Sequence, residues 1–91
     1  MTPSIVGEAV AELAKRLRTH AKSFTFSELR RVCEHYFGPS RQKGTSHMVF
    51  KTGVAVPTIV NIQPEGKMAK AYQCRQVADA IEAKAGIKIP R

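Results

Sequence analysis

Arg41-Gln42-Lys43-Gly44-Thr45-Ser46-His47-Met48-Val49-Phe50-Lys51 carries the clearest strand signal in this chain. From Ser46 onward the side chains alternate, and a period of two is the mark of a half-buried strand. Met48 and Phe50 need a core, so Ser46 shares their face while His47, Val49 and Lys51 take the other. That puts a histidine on the solvent face with Arg41 and Lys43 upstream. Such an imidazole can meet a phosphate and exchange a proton near neutral pH.

The flanking segments supply the scaffold. Upstream, Thr25-Phe26-Ser27-Glu28 has the form of a capping box, with Phe24 and Leu29 placed as a hydrophobic staple. Leu29, Val32, Cys33, Tyr36 and Phe37 then form one helical stripe, stopped by Gly38-Pro39. Residues 40–43 are a short strand candidate, turned by Gly44-Thr45 into the strand at 46–51. A third strand is expected over 58–63, bracketed by Pro57 and Pro64, and residues 63–67 read as a turn. A last helix starts between Ala69 and Tyr72, buries Cys74, Val77, Ala78, Ile81 and Ala85, and ends at Gly86. Beyond it, Ile87 and Ile89 are expected to fold back onto the core.

Before all this, Val6, Val10, Leu13 and Leu17 recur at helical spacing and predict an amphipathic helix over 4–21. The expectation is an α+β fold: a three-stranded antiparallel sheet with helices on one face and the other face open. The division drawn is an additional N-terminal helix over 1–22 and a main unit over 23–91.

A chain of 91 residues is one domain with a modest core. No apolar run approaches membrane-spanning length, and the longest, 54–60, is interrupted by Pro57 and Thr58. No basic segment followed by an apolar block opens the chain, so the expected compartment is cytoplasmic, with no membrane partner. Cys33 and Cys74 each fall on an apolar helix face and read as small buried hydrophobes. No Cys-x-x-Cys pair is present and the three histidines are scattered, so no metal site is expected.

The net charge is +8, and residues 41–75 hold six Lys/Arg against Glu65 alone. Positive charge therefore concentrates where His47 sits, which points to a polyanion, nucleic acid before membrane. Lys67 and Lys70 flank the start of the last helix, where backbone N–H groups already favour an anion. With Glu65 the sole carboxylate nearby and no glycine-rich nucleotide loop, neither metal nor small-molecule cofactor is expected. The chemistry these residues allow is transfer of the adjacent phosphate to a ribose 2′-OH, assisted by a base and a cation. On the residues alone, a non-catalytic double-stranded-RNA-binding module stands ahead of an enzyme. A basic adaptor domain for an acidic protein is the third reading.

Two motifs change that order. The segment Arg41-Gln42-Lys43-Gly44-Thr45-Ser46-His47 resembles the Arg-Gln-Lys/Arg-Gly-Ser-His-like segment of the HicA family, the toxin half of HicA–HicB toxin–antitoxin pairs. Residues 61–77, with Ala69-Lys70-Ala71-Tyr72-Gln73-Cys74-Arg75-Gln76, are similar to one subgroup's strand, turn and final helix. The likeness covers about 24–86, with both motifs in the family's order. It implies an α-β-β-β-α fold like that of double-stranded-RNA-binding domains. It also implies a metal-independent endoribonuclease acting on mRNA, with His47 as its catalytic acid/base, and a HicB-type antitoxin as protein partner. Arg41, Lys43, Gly44, Ser46, Lys51, Lys67 and Lys70 are the candidate phosphate-binding residues around it.

Overall fold

The computed structural model describes residues 5–41 and 47–91. The strand signal is realised as β1, Met48–Lys51, paired antiparallel with β2, Ile59–Ile62. The register sets Met48 against Ile62, Val49 against Asn61, Phe50 against Val60 and Lys51 against Ile59. Phe50, Val60 and Ile62 are buried, while Lys51, Ile59 and Asn61 are exposed, so the period-two reading of the two faces holds. The connection between β1 and β2 is tied down by buried Thr52, whose amide bonds the Thr58 carbonyl at 3.0 Å.

Helix α2, Phe26–Phe37, starts on the predicted capping box: Thr25 Oγ1 accepts from Glu28 N–H, and the Glu28 carboxylate accepts from Thr25 N–H. It buries Leu29, Val32 and Cys33 and stops at Gly38, whose φ of +85° a side chain would strain. Helix α3, Ala71–Ala85, lies against β2 and is closed by left-handed Gly86. Burial pushes both free thiols up, Cys74 to about 11, which keeps them neutral and suits the buried-hydrophobe reading.

Four expectations need correction. The first helix, α1, spans Ile5–Ala14 and does not run on to residue 21. Past Ala14 the chain tightens into i→i−3 turns, with Leu17 N–H bonding the Ala14 carbonyl at 3.1 Å. A short 3-10 turn, Ala21–Ser23, follows. The bend is explained by Arg18, whose side chain is only 6% exposed. Its guanidinium bonds Glu82 at 2.8 Å, Asp79, and the Ile89 carbonyl at 2.8 Å, tying the N-terminal segment to α3 and the C-terminal tail. Val10, Leu13, Ala14, Leu17 and Ala21 belong to the same buried cluster as Phe50 and Val77.

Second, residues 63–67 are more than a turn. Pro64–Glu65 (β3) and Met68–Ala69 (β4) pair as a small ribbon around Gly66, and Thr25 bridges to Met68. Phe26 N–H bonds the Lys67 carbonyl at 3.0 Å and Ala69 N–H bonds that of Phe24 at 2.9 Å, docking the ribbon on the start of α2. Third, among the described residues the sheet is two two-stranded sheets, β1–β2 and β3–β4. The remainder of the strand expected at 40–43, and its turn, lie outside the described residues. Fourth, Ile89 is buried as expected, but Ile87 is 40% exposed, and Ala85, expected on the apolar stripe of the last helix, is exposed at its final turn.

The Arg18 anchor makes stability acid-sensitive. The hydrogen bond from Arg18, then that from the Ile89 amide, holds the Glu82 carboxyl at about 2, below its ordinary 4.5. A depressed carboxylate stabilises the fold fully above its unfolded value and ceases to as pH falls through the folded one. Glu82→Gln should therefore lower the urea midpoint at neutral pH and flatten its decline between about pH 4.5 and about pH 2. An unchanged slope across that window would disprove the link.

Candidate active site at the end of β1

Backbone bonding decides which way the site faces. Because Thr52 bonds Thr58, the pairs Phe50–Val60 and Met48–Ile62 also exchange hydrogen bonds, and Val49 turns its own groups away from β2. The Arg41 amide uses that opening and bonds the Val49 carbonyl at 2.8 Å. Arg41, itself exposed, is thus held beside β1 on the edge opposite β2.

His47 lies one residue before β1 and is exposed. One step beyond the Met48–Ile62 pair, it falls opposite Gln63. The Gln63 amide nitrogen lies 2.6 Å from His47 Nε2 and 3.1 Å from Nδ1. Lys70 Nζ donates to Gln63 Oε1 at 2.8 Å. The Gln63 backbone N–H in turn donates to Gln73 Oε1 at 2.9 Å, and Gln73 Nε2 reaches the Tyr72 hydroxyl at 3.3 Å.

The scaffold explains each position. Lys70 is the N-cap residue of α3, with extended φ/ψ of −80° and 128°, directly after the β3–β4 ribbon. The ribbon's anchorage on α2 fixes where Lys70 leaves the sheet. Gln73, on the first turn of α3, is only 3% exposed, so its carboxamide needs partners, and the Gln63 backbone supplies one. The end of β2 and the beginning of α3 are therefore locked together immediately beside His47.

Of the residues expected at the site, His47 and Lys70 come together, bridged by Gln63. Lys67 is exposed at the ribbon's turn, and Arg41 is on the far edge of β1. Lys51 is exposed on the face His47 was expected to share, but four residues along the strand, about 13 Å at ~3.3 Å per residue. Lys43, Gly44 and Ser46 lie outside the described residues. Tyr72 is 52% exposed beside the network, whereas Arg75 lines a groove with Thr19, His20 and Lys22. Among the described residues no three His, Cys, Asp or Glu side chains are grouped so as to hold a metal ion, and no helix is long and apolar enough to cross a membrane.

Sequence reading missed Gln63 and Gln73. Gln63 closes the strand expected over 58–63 and opens the expected turn, and its position opposite His47 is visible only once the β1–β2 register is known. Gln73 precedes Cys74 on the helix face that also carries Val77, and that face was the available signal.

What the arrangement can do chemically follows from its parts. It offers an exposed imidazole, a carboxamide fixed on one side by an ammonium, and further cations at the sheet edge and the ribbon turn. An anion with a neighbouring hydroxyl fits it. Compared with known proteins, the chain matches no family model, no curated protein and no solved structure.

Proposed function

We propose that this protein is a metal-independent endoribonuclease of the HicA type, the toxin of a toxin–antitoxin pair. Its substrate is mRNA and its protein partner is a HicB-type antitoxin, met in the cytoplasm. The observation that carries the reading is the exposed His47 imidazole within hydrogen-bond reach of Gln63, which Lys70 holds in turn. The bond from Arg41 to Val49 supports the finer fold. That fold is the double-stranded-RNA-binding-like α-β-β-β-α unit, with a further strand on the edge of β1 that Arg41 occupies.

In the reaction, a neutral His47 nitrogen takes the proton of the ribose 2′-OH. The O2′–P bond forms and the P–O5′ bond breaks. A water molecule protonates the departing O5′, and the imidazolium returns its proton to solvent. Arg41, Lys43, Lys51, Lys67 and Lys70, with Gly44 and Ser46, bind the phosphates of the strand. A cation beside the reacting phosphate offsets the charge that builds up as the new bond forms.

The test is cleavage of an mRNA by the pure protein with EDTA present. The expected products end in 2′,3′-cyclic phosphate, or its hydrolysis product, and 5′-OH. A 2′-deoxy nucleotide at the cut position should block that cut. RNA bound without any cut would replace the enzyme with a double-stranded-RNA-binding module.

A further inference from the structure

We infer that the groove between the Ala21–Ser23 turn and α3, with Tyr72 beside it, is a track for single-stranded RNA that leads the strand to His47. The inference deepens the ribonuclease reading and rests on it for the direction of the strand, though not for the binding itself.

One buried contact makes the groove. The Cys74 thiol lies 3.9 Å from the carbonyl of Ala21, and both residues are buried. The next residue on each segment is a cation at the surface, Lys22 after Ala21 and Arg75 after Cys74. Both line the groove, together with Thr19, His20 and Ser23. The core contact thus brings two positive charges to one place, with hydroxyls and an imidazole around them.

These two cations are uncommitted, and α3 shows why. Asp79 stands four residues after Arg75, the spacing at which opposite charges meet on a helix. Arg18 takes Asp79 instead, and Glu82 with it. Among the described residues neither Lys22 nor Arg75 has an ion-pair partner. Two like charges held side by side, with the nearby carboxylates already occupied, are relieved by a polyanion.

Tyr72 decides the form of that polyanion. It precedes Arg75 by three residues on α3, so the two side chains are neighbours on one face. Its ring is half exposed, and its hydroxyl accepts from buried Gln73 Nε2 at 3.3 Å. A ring held in this way is a platform for a base, and only an unpaired base can lay its face on it. From Lys70, where Gln63 and His47 stand, to Arg75 is five residues, about 7.5 Å along the axis at the helical rise. The substrate is therefore a single-stranded stretch of mRNA, one base on Tyr72 and the phosphates beyond it on Arg75 and Lys22.

The experiment is binding of a 2′-O-methyl RNA oligonucleotide, which has no 2′-OH and cannot be cut, to the full chain over a range of salt. The same sequence is measured as a single strand and as a duplex. Wild type should prefer the single strand. Lys22→Gln and Arg75→Gln should each flatten the slope of log affinity against log salt by about 0.7, and the double variant by about 1.4. Tyr72→Ala should keep the slope and weaken single-strand binding by about fivefold to about a hundredfold, while Tyr72→Phe, which keeps the ring, should bind as wild type. All three side chains are exposed, so the melting temperature should hold.

No binding of either RNA, an unchanged slope in the double variant, or duplex bound as tightly as single strand with Tyr72→Ala without effect would overturn the inference. So would variants that bind RNA as wild type does but lose an acidic antitoxin, since the groove would then be a protein surface. The expected binding pattern with no cleavage of unmodified mRNA by wild type would instead overturn the ribonuclease reading, leaving the track standing.

Discussion

Replacing His47 with alanine is expected to reduce cleavage by about a hundredfold to ten-thousandfold, the contribution of a positioned acid/base group. That range corresponds to about 3–5 kcal/mol of transition-state stabilisation. His47 is exposed and lies outside the buried cluster, so the variant should keep its fold and its melting temperature. RNA affinity should change little, because it depends on phosphate contacts by the lysines and arginines and falls with added salt. The measurement is single-turnover cleavage and RNA binding on the same preparation. Cleavage retained at the wild-type rate would remove His47 from the chemistry, whatever the binding.

The second large effect is structural. Phe50 is fully buried at the centre of β1, paired with Val60 and facing α2. Phe50→Ala should destabilise the protein by about 3–5 kcal/mol, through lost burial and the cavity left behind. A domain of this size has about 5–15 kcal/mol in total, so much of its margin would go. Denaturant unfolding should show an earlier midpoint. Val56, 81% exposed in the β1–β2 connection, provides the contrast: Val56→Ser should stay within about 0.5 kcal/mol of wild type. A loss of cleavage in Phe50→Ala should follow its unfolded fraction, which separates it from His47→Ala. An unchanged midpoint would mean that the core collapses around the missing ring.

The two substitutions fall on β1 and on the residue just before it, and that strand was legible for a simple reason. Alternation of Met48 and Phe50 with His47, Val49 and Lys51 is a local pattern, and the pleat converts it directly into two faces. The same holds for α2, whose cap at Thr25 and Glu28 is written in four consecutive residues, and for the stop at Gly86. Helix α1 was overextended because the apolar spacing continues through Leu17. What ends it is Arg18, and Arg18 is explained by Asp79 and Glu82, more than sixty residues away. No window of local sequence contains that information.

The site divides in the same way. The sequence by itself determined that a histidine next to strand β1 would be exposed, in a segment of concentrated positive charge, because side-chain periodicity and charge are local quantities; the structure begins the strand one residue later, at Met48. Only the tertiary structure decided that Gln63 lies opposite His47, that Lys70 orients it, and that buried Gln73 holds its backbone. These facts depend on strand register and on the angle at which α3 leaves the β3–β4 ribbon. Register and angle are fixed by packing between distant segments, and so they appear only when the chain is folded.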